Sequence, residues 1–209
     1  TGLRFITLDV LAPTITLPEY VNGTFRKNTD TLTLNISATD VTTSPSACSV
    51  DTTGTNQSLT FSDGWCNTTA ITLTGLADGN NTINVWANDS ANNFNLENTY
   101  VVQIDTSNPN IEFTTGTESN ETNLSQNFVY TNVSVTETNE GTIIFMLMYG
   151  NETIYNSTSL TDASRDINFS NLADGNWLYN VSVNDSAGNS NSTGLRFITL
   201  DVLAPTITL

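Results

Sequence analysis

Two stretches of the chain, LADGNNTINVWANDSANN (residues 76–93) and LADGNWLYNVSVNDSAGN (residues 172–189), carry the pattern that decides the fold. Each begins with a turn-forming Ala-Asp-Gly, continues with apolar residues at every second position, and ends in a second polar turn. Alternation with a period of two is typical of a β-strand with one buried face and one wet face. The stretches are 96 residues apart, which predicts two copies of one all-β unit.

A longer and stricter repeat frames these two copies. Residues 1–17 (TGLRFITLDVLAPTITL) recur unchanged as residues 193–209, at an offset of 192. The longer period therefore contains two diverged copies of a unit that has the size of an immunoglobulin-like sandwich. We expect residues 1–9 to be the last strand of a preceding unit, 10–105 the first sandwich, 106–201 the second, and 202–209 the first strand of a following unit.

Alternation also predicts which side chains form the two cores. In each copy an early strand and a later strand carry apolar residues on one face and Asn, Ser or Thr on the other, as a two-sheet sandwich requires. The residues predicted to point inward are Leu32, Leu34, Ile36, Ala38, Ile83, Val85 and Ala87 in copy one, and Val129, Thr131, Val133, Val135, Tyr179, Val181 and Val183 in copy two.

The composition excludes several classes of function. The net charge is −16 and there is no His, so phosphate backbones are repelled and neither a Ser-His-Asp triad nor an imidazole metal site can form. The single lysine, Lys27, follows no Gly-rich phosphate loop. The longest apolar run, Ile143–Tyr149, has seven residues, far fewer than the roughly 20 that span a bilayer. We expect no nucleic-acid partner and no membrane-spanning segment.

The turn at 172–176, the strand Tyr179–Val183 and the Asn-Asp-Ser-Ala-Gly-Asn turn at 184–189 resemble the E–F–G region of bacterial-type immunoglobulin-like domains. Such domains are arranged in tandem in large bacterial adhesins and in archaeal cell-surface and S-layer-type proteins. The resemblance covers both units and implies two tandem immunoglobulin-like sandwiches at a cell surface. It also gives Tyr179 the place of a tyrosine-corner residue, a place that Ile83 takes in copy one. It says little about function, because this fold has many roles.

The ends of the chain match strands from its interior. Residues 3–9 correspond to 195–201, and residues 206–209 correspond to 14–17. A lone strand with Ile6 and Leu8 on one face is unstable in water. One hypothesis is that the ends complete domains of neighbouring subunits or repeats by strand addition. The other is that a continuous polypeptide is simply divided here, and both hypotheses predict an end-to-end array of copies.

Asn-x-Ser/Thr sequons are about twice as frequent as composition alone gives. There are 15 of them, against about eight expected from the Asn, Ser and Thr content. Those in predicted strands take outward positions, as a glycan requires. We expect dense N-glycosylation; the alternative is that an Asn- and Thr-rich surface creates sequons by chance. The candidates are Asn22, Asn35, Asn56, Asn67, Asn80, Asn88, Asn120, Asn123, Asn132, Asn151, Asn156, Asn168, Asn180, Asn184 and Asn191.

Cys48 and Cys66 are the only cysteines, and both lie in copy one. A disulfide between them would stabilise the fold by about 3 kcal/mol and would indicate an oxidising, extracellular setting. Two buried thiols are the alternative. Copy two has no counterpart, so the bridge would reinforce one unit only.

One strand of copy two is apolar on both faces, which suggests an interface between subunits. A loop of the same domain that covers the strand is the alternative. Alternation places Ile143, Phe145, Leu147 and Tyr149 in the core and the interface candidates Ile144, Met146 and Met148 outside.

Four acidic residues are candidates for Ca²⁺ binding. Asp89 and Asp185 begin turns, and Asp105 and Asp201 precede Pro-containing linkers. Ca²⁺ takes carboxylate and carbonyl oxygens, and related extracellular modules hold it near such junctions. Ordinary turn chemistry, in which Asp accepts hydrogen bonds from backbone amides, is the alternative. No other metal or cofactor is expected.

The leading functional hypothesis is structural. The sequence predicts a non-enzymatic, extracellular protein, a repeat unit of a glycosylated cell-surface stalk or filament that assembles end to end. An S-layer lattice is a variant of this hypothesis. A second hypothesis is an adhesin module that binds a sugar or a host surface through Trp65, Trp86 and Trp177. An enzyme is not expected, because no acidic pair recurs in a distinctive context.

Overall fold

The computed structural model describes residues 2–17, 23–52, 56–67, 70–161 and 164–208. All regular structure in these ranges is β-strand, so they contain no helix that could cross a membrane. The chain divides into two compact units, Thr1–Thr106 and Ser107–Leu209. Each unit is an immunoglobulin-like β-sandwich, and the all-β tandem fold predicted from the sequence is confirmed.

Unit 1 consists of ten strands in the described residues. Eight form one continuous sheet in the order β1-β4-β7-β6-β5-β9-β10-β2, and β3 pairs with β8. Strand β6 pairs with β5 through its first half and with β7 through its second, so it passes from one layer to the other. The strands are β1 (Thr14–Thr16), β2 (Thr24–Arg26), β3 (Thr31–Leu32), β4 (Asn35–Thr39), β5 (Pro45–Asp51), β6 (Asn56–Ser62), β7 (Trp65–Asn67), β8 (Ile71–Thr72), β9 (Gly79–Asp89) and β10 (Phe94–Ile104).

Unit 2 separates cleanly into two sheets. One has the order β11-β13-β16, the other β12-β19-β17-β14-β15, and β18 pairs with β17. Strand β12 runs parallel to β19, whereas the other pairs are antiparallel. The strands are β11 (Asn110–Phe113), β12 (Thr122–Leu124), β13 (Val129–Thr136), β14 (Glu140–Tyr149), β15 (Thr153–Leu160), β16 (Asp166–Phe169), β17 (Gly175–Asp185), β18 (Ser190–Ser192) and β19 (Arg196–Leu200).

Each unit has its own hydrophobic core, built from the alternate positions of its strands. The 11-residue strands β9 and β17 bury every second residue from Ile83 and Trp177 onward. The inward positions predicted for both copies are buried, except that Val135 is only half-buried at the margin of its core.

The strand β14 differs from its prediction at one end. Ile143, Phe145 and Leu147 are buried, but Met148, predicted to be exposed, is buried as well at 9% exposure. Its cross-strand neighbours are apolar, Leu178 on one side and Ile154 on the other. A bulge that skips one residue of β15 creates the second pairing.

The predicted apolar stripe is therefore shorter than expected. Tyr149, predicted to be buried, is 42% exposed at the end of the sandwich. Ile144 and Met146 are half-buried, and their cross-strand neighbours are Ser182, Ser159, Asn180 and Ser157. Two apolar side chains among polar neighbours make a weak interface, and the subunit contact at Ile144 and Met146 stays a prediction.

Candidate functional site

The identical segments at 1–17 and 193–209 have opposite environments. Residues 196–200 form β19, which pairs with β17 on one side and β12 on the other. Ile198 and Leu200 of this strand are 0% and 1% exposed. Their counterparts Ile6 and Leu8 are 90% and 84% exposed, and residues 2–12 form no strand. The same side chains that complete the core of unit 2 thus lie in solvent at the start of the chain.

Strand β19 is held by contacts that residues 2–8 do not make. The Arg196 guanidinium lies 4.1 Å from the centre of the Phe113 ring and donates to the carbonyl of Glu118. The backbone amide of Phe197 donates to Oδ1 of Asn120 at 2.7 Å. Just after the strand, the amide of Asp201 donates to the carbonyl of Leu124 at 3.0 Å. Residues 113–124, from the end of β11 to the end of β12, therefore form with β17 a slot that binds residues 196–201.

The other half of the repeated segment shows the reverse arrangement. Thr14–Thr16 form β1, which pairs with β4, and Ile15 is 9% exposed. The counterpart Ile207 is 84% exposed in a segment without strand structure. One 17-residue sequence thus contains both the closing strand of unit 2 and the opening strand of unit 1.

Tyr179 does not make the short-range hydrogen bond that defines a tyrosine corner, which the sequence predicted for it. Tyr179 is fully buried, and its hydroxyl donates to the carbonyl of Glu118, 61 residues earlier, instead of to the turn just before β17. Burial raises the pKa of this phenol, and the nearby Arg196 only partly offsets that effect. The short-range bond is made by Trp177, whose Nε1 donates to the carbonyl of Ala173 at 3.0 Å. Trp177 therefore ties β17 to its preceding turn.

None of the sequon asparagines whose side chains are described is buried. Asn22 and the side chain of Asn67 lie outside the described residues. Three asparagines, Asn88, Asn132 and Asn180, are half-buried in strands. The exposed ones are Asn35, Asn56, Asn80, Asn120, Asn123, Asn151, Asn156, Asn168, Asn184 and Asn191.

Cys48 and Cys66 form a disulfide, with Cα atoms 6.1 Å apart. It joins β5 to β7, which are separated along the sheet by β6, and both residues are at most 4% exposed. The bridge therefore crosses the core of unit 1 between its two layers.

Three carboxylates meet in unit 1, one from Asp9, one from Asp40 and one from Asp89. One oxygen of each lies within 4.8 Å of the others. Asp89 is fully buried, and it accepts hydrogen bonds from the Asn93 side chain at 2.8 Å and from the backbone amides of Asn93 and Ala91. Burial alone would raise the pKa of Asp89, but these hydrogen bonds together lower it below its usual value. The cluster could supply three of the six to eight oxygens that Ca²⁺ takes.

Two of the other predicted Ca²⁺ ligands, Asp185 and Asp201, accept hydrogen bonds typical of turns. Asp185 accepts from the amide and the side chain of Asn189 at 2.8 and 2.7 Å. Asp201 is exposed and accepts from the amide of Leu203, and Asp105 is 8% exposed. The prediction missed Asp9 and Asp40. Asp9 could have been found, since Asp9, Asp105 and Asp201 recur every 96 residues, whereas Asp40 has no such signal. Ca²⁺ binding stays a prediction.

The three tryptophans do not form a shared surface in either unit. Trp65 is 43% exposed in β7. Trp86 points outward from β9, as predicted, but packs against Phe94 with ring centres 4.7 Å apart. Trp177 is 1% exposed. Tyr149 and Tyr155 contact Trp177 edge-on and form an aromatic cluster at the end of unit 2.

Among solved structures, this chain is similar in fold to fragments of titin and of a bacterial adhesin. A fragment of titin matches with a TM-score of 0.58 and 10% identity over 91% of this chain and 67% of that one. A structure of a 1.5-MDa bacterial ice-binding adhesin matches with a TM-score of 0.51 and 16% identity over 92% and 66%. At these identities the likeness concerns the fold alone. No protein-family model matches the sequence, and no curated protein is significantly similar to it.

Proposed function

We propose that the chain is a repeat unit of an extracellular, non-enzymatic stalk or filament in which sandwiches are joined end to end. The observation that carries the proposal is the contrast between β19 and residues 3–8, which have one sequence and two environments. A strand that buries two apolar side chains against β17 and β12 gains about 25 cal/mol for each Å² of apolar surface removed from water. Residues 3–8 gain the same energy when they enter a slot of this kind that is open in a neighbouring unit, whereas replacing β19 in an occupied slot exchanges one strand for its equal.

The slot recognises more than apolar surface. Arg4 has the sequence position of Arg196, whose guanidinium covers Phe113 and bonds to the Glu118 carbonyl. An incoming segment would bring the same cation, the same apolar pair and the same backbone amides. Because the sequences are identical, the contacts within the slot would be identical too. Exchange between copies would then cost little beyond opening the original strand, as in domain swapping.

The remaining features support an extracellular setting. Disulfides persist in oxidising compartments, and Cys48–Cys66 crosses the core of unit 1. Ten exposed sequon asparagines would allow glycans to cover a surface that has few charges. The adhesin alternative has less support, because Trp177 is buried and Trp86 packs against Phe94. An S-layer lattice would require lateral contacts, for which β14 offers only Ile144 and Met146.

The test is refolding of the full chain at increasing concentration, followed by light scattering on a sizing column. We expect linear species at multiples of 22.6 kDa. Ile6→Asp should abolish them, because it would place a charge where Ile198 is buried. Phe5→Asp is the matched control, because its counterpart Phe197 is 38% exposed, and it should still assemble. Electron microscopy of native material should show rods; isolated particles together with a monomeric refolded chain would contradict the proposal.

A further inference from the structure

A groove of about 580 Å³ lies beside the hairpin formed by β14 and β15 in unit 2. The rings of Tyr149 and Tyr155 pack edge-on against Trp177, with centroids 4.7 and 4.9 Å away. Tyr149 and Tyr155 nevertheless remain 42% and 59% exposed. Two aromatic rings are thus fixed in position while part of each stays open to solvent.

Asn151 lines the same groove from the tip of the hairpin. Its side chain is exposed, and its Oδ1 accepts a hydrogen bond from the Thr153 hydroxyl at 2.7 Å. Its backbone amide donates to the carbonyl of Tyr149 at 2.5 Å. Asn151-Glu152-Thr153 is a sequon, so a glycan acceptor and two open aromatic rings share one groove.

An aromatic residue two positions before the sequon asparagine recurs in this chain. Five of the 15 sequons have one, whereas 9% aromatic content predicts about one. Of the four that the structure describes, Asn67, Asn88 and Asn132 lie within strands, and only Asn151 lies in a turn. The five pairs are Tyr20 with Asn22, Trp65 with Asn67, Trp86 with Asn88, Tyr130 with Asn132, and Tyr149 with Asn151.

We propose that Asn151 is N-glycosylated and that its first sugar ring packs against Tyr149 and Tyr155. The C–H face of a pyranose is apolar and carries a slight positive charge, which suits the electron-rich face of an aromatic ring. Transfer forms a bond between Nδ2 of Asn151 and the anomeric carbon of the sugar. The bond from that carbon to the phosphate of a lipid-linked donor breaks, the lipid phosphate leaves with the bonding electron pair, and the amide nitrogen loses one proton to water.

The packed sugar would cover apolar surface at the open end of unit 2. The groove has no large side chain of its own above Tyr155 and Ile154, which are 59% and 58% exposed. The glycan at Asn151 would therefore stabilise the fold as well as shield it. This inference rests on the extracellular setting proposed above and does not depend on end-to-end assembly.

Asn156 provides a matched control on the same hairpin. It is exposed, belongs to a sequon, and its Oδ1 accepts from the Thr158 hydroxyl at 2.8 Å, as Asn151 does from Thr153. The residue two positions before it is Ile154, and Tyr155 is its immediate neighbour. Asn156 thus has no aromatic residue at the position that Tyr149 takes relative to Asn151. Asn156 should therefore carry a glycan whose first sugar makes no stabilising contact with Tyr149.

The experiment uses the full chain secreted from a eukaryotic host, with its glycans trimmed enzymatically to the first N-acetylglucosamine. A Glu-specific protease leaves Asn151 as the only sequon of fragment 141–152. A further Asp-specific cut before Asp162 leaves Asn156 as the only sequon of fragment 153–161, so mass spectrometry can measure each site. We expect Asn151 to be occupied. Asn151→Gln should lower the Tm of unit 2 by about 4 °C, the shift that one aromatic contact gives in a domain of this size, and Asn156→Gln should leave it unchanged.

Two comparisons test whether the loss of Tm in Asn151→Gln comes from the contact between the sugar and the aromatic rings. The same Asn151→Gln change in sugar-free protein from a bacterial host should not lower the Tm. In a Tyr155→Ala background, the loss of Tm that Asn151→Gln causes in glycosylated protein should shrink. A bare Asn151 beside occupied sequons, or equal shifts with and without sugar, would overturn the inference and leave end-to-end assembly standing. A secreted chain bare at every sequon would also contradict the proposed glycan coat.

Discussion

Ile6 and Ile198 occupy the same position of an identical 17-residue sequence, yet Ile198 is fully buried and Ile6 is 90% exposed. The difference lies in the partner strands. Ile198 lies between β17 and β12, whereas among the described residues no strand pairs with the segment that contains Ile6. One molecule therefore contains the same sequence twice, once paired in a sheet around Ile198 and once unpaired around Ile6.

Truncation of these two residues should have very different effects on stability. Ile198→Ala should lower the free energy of unfolding of unit 2 by about 3 kcal/mol, because it removes buried methyl groups and leaves a cavity. Ile6→Ala should change it by less than about 0.5 kcal/mol in the isolated chain, because its side chain is in water. Urea unfolding of both variants measures the two values. A large effect of Ile6→Ala on the monomer would mean that its segment is already docked within its own chain.

The disulfide should stabilise unit 1 alone. Cys48 and Cys66 are 18 residues apart, and closing a loop of this length stabilises a fold by about 3 kcal/mol. Calorimetry with and without a reducing agent should show the transition of unit 1 moving to lower temperature. The transition of unit 2, which contains no cysteine, is the internal control. An equal shift of both transitions would argue against this assignment.

The period-two alternation and the 96-residue repeat were sufficient to predict both sandwiches. They placed Ile83 and Val85 in one core and Tyr179 and Val181 in the other, because a strand in a sandwich puts every second residue on its buried face. The disulfide could be predicted because only two cysteines exist to pair. These features depend on local sequence or on a single possible pairing.

The features that could not be predicted depend on register or on distant loops. Met148 was expected outside, but the bulge opposite it brings Ile154 alongside and covers it. The partner of Tyr179 lies 61 residues away at Glu118, which strand periodicity cannot indicate. The carboxylates of Asp9, Asp40 and Asp89 converge only after three separate segments have folded together.

Asp89 should make unit 1 sensitive to acid. Its folded-state pKa lies below the usual value of 3.8, so the ionised carboxylate contributes stability above that pH. The contribution should be lost as the pH falls from about 3.8 through the lowered folded-state pKa. Asp89→Asn should therefore destabilise unit 1 at pH 7 and make its stability less dependent on pH below 4. Urea unfolding across this range measures the change, and Asp63→Asn, at an exposed turn, should behave as wild type.

Gly175 and Gly79 occupy equivalent positions 96 residues apart, at the start of β17 and β9. Both have positive φ angles, +139° and +106°, so an alanine at either position should be strained by about 1–3 kcal/mol. Their surroundings differ. A Cβ on Gly175 would lie 2.6 Å from the hydroxyl oxygen of Tyr149, whereas a Cβ on Gly79 would meet nothing within 4 Å.

Gly175→Ala should consequently destabilise its unit more than Gly79→Ala destabilises the other. Tyr149→Phe removes the nearest clashing atom but leaves ring carbons 3.1 and 3.2 Å from the new Cβ, so it should restore only part of the difference in a double-mutant cycle. Urea unfolding measures the free energy of unfolding of Gly175→Ala, Gly79→Ala, Tyr149→Phe and the double variant Gly175→Ala/Tyr149→Phe. Equal losses for the two alanine variants would show that backbone strain alone decides the cost and that Tyr149 can move away freely. In that case the ring would not be held in place as the glycan-binding groove requires.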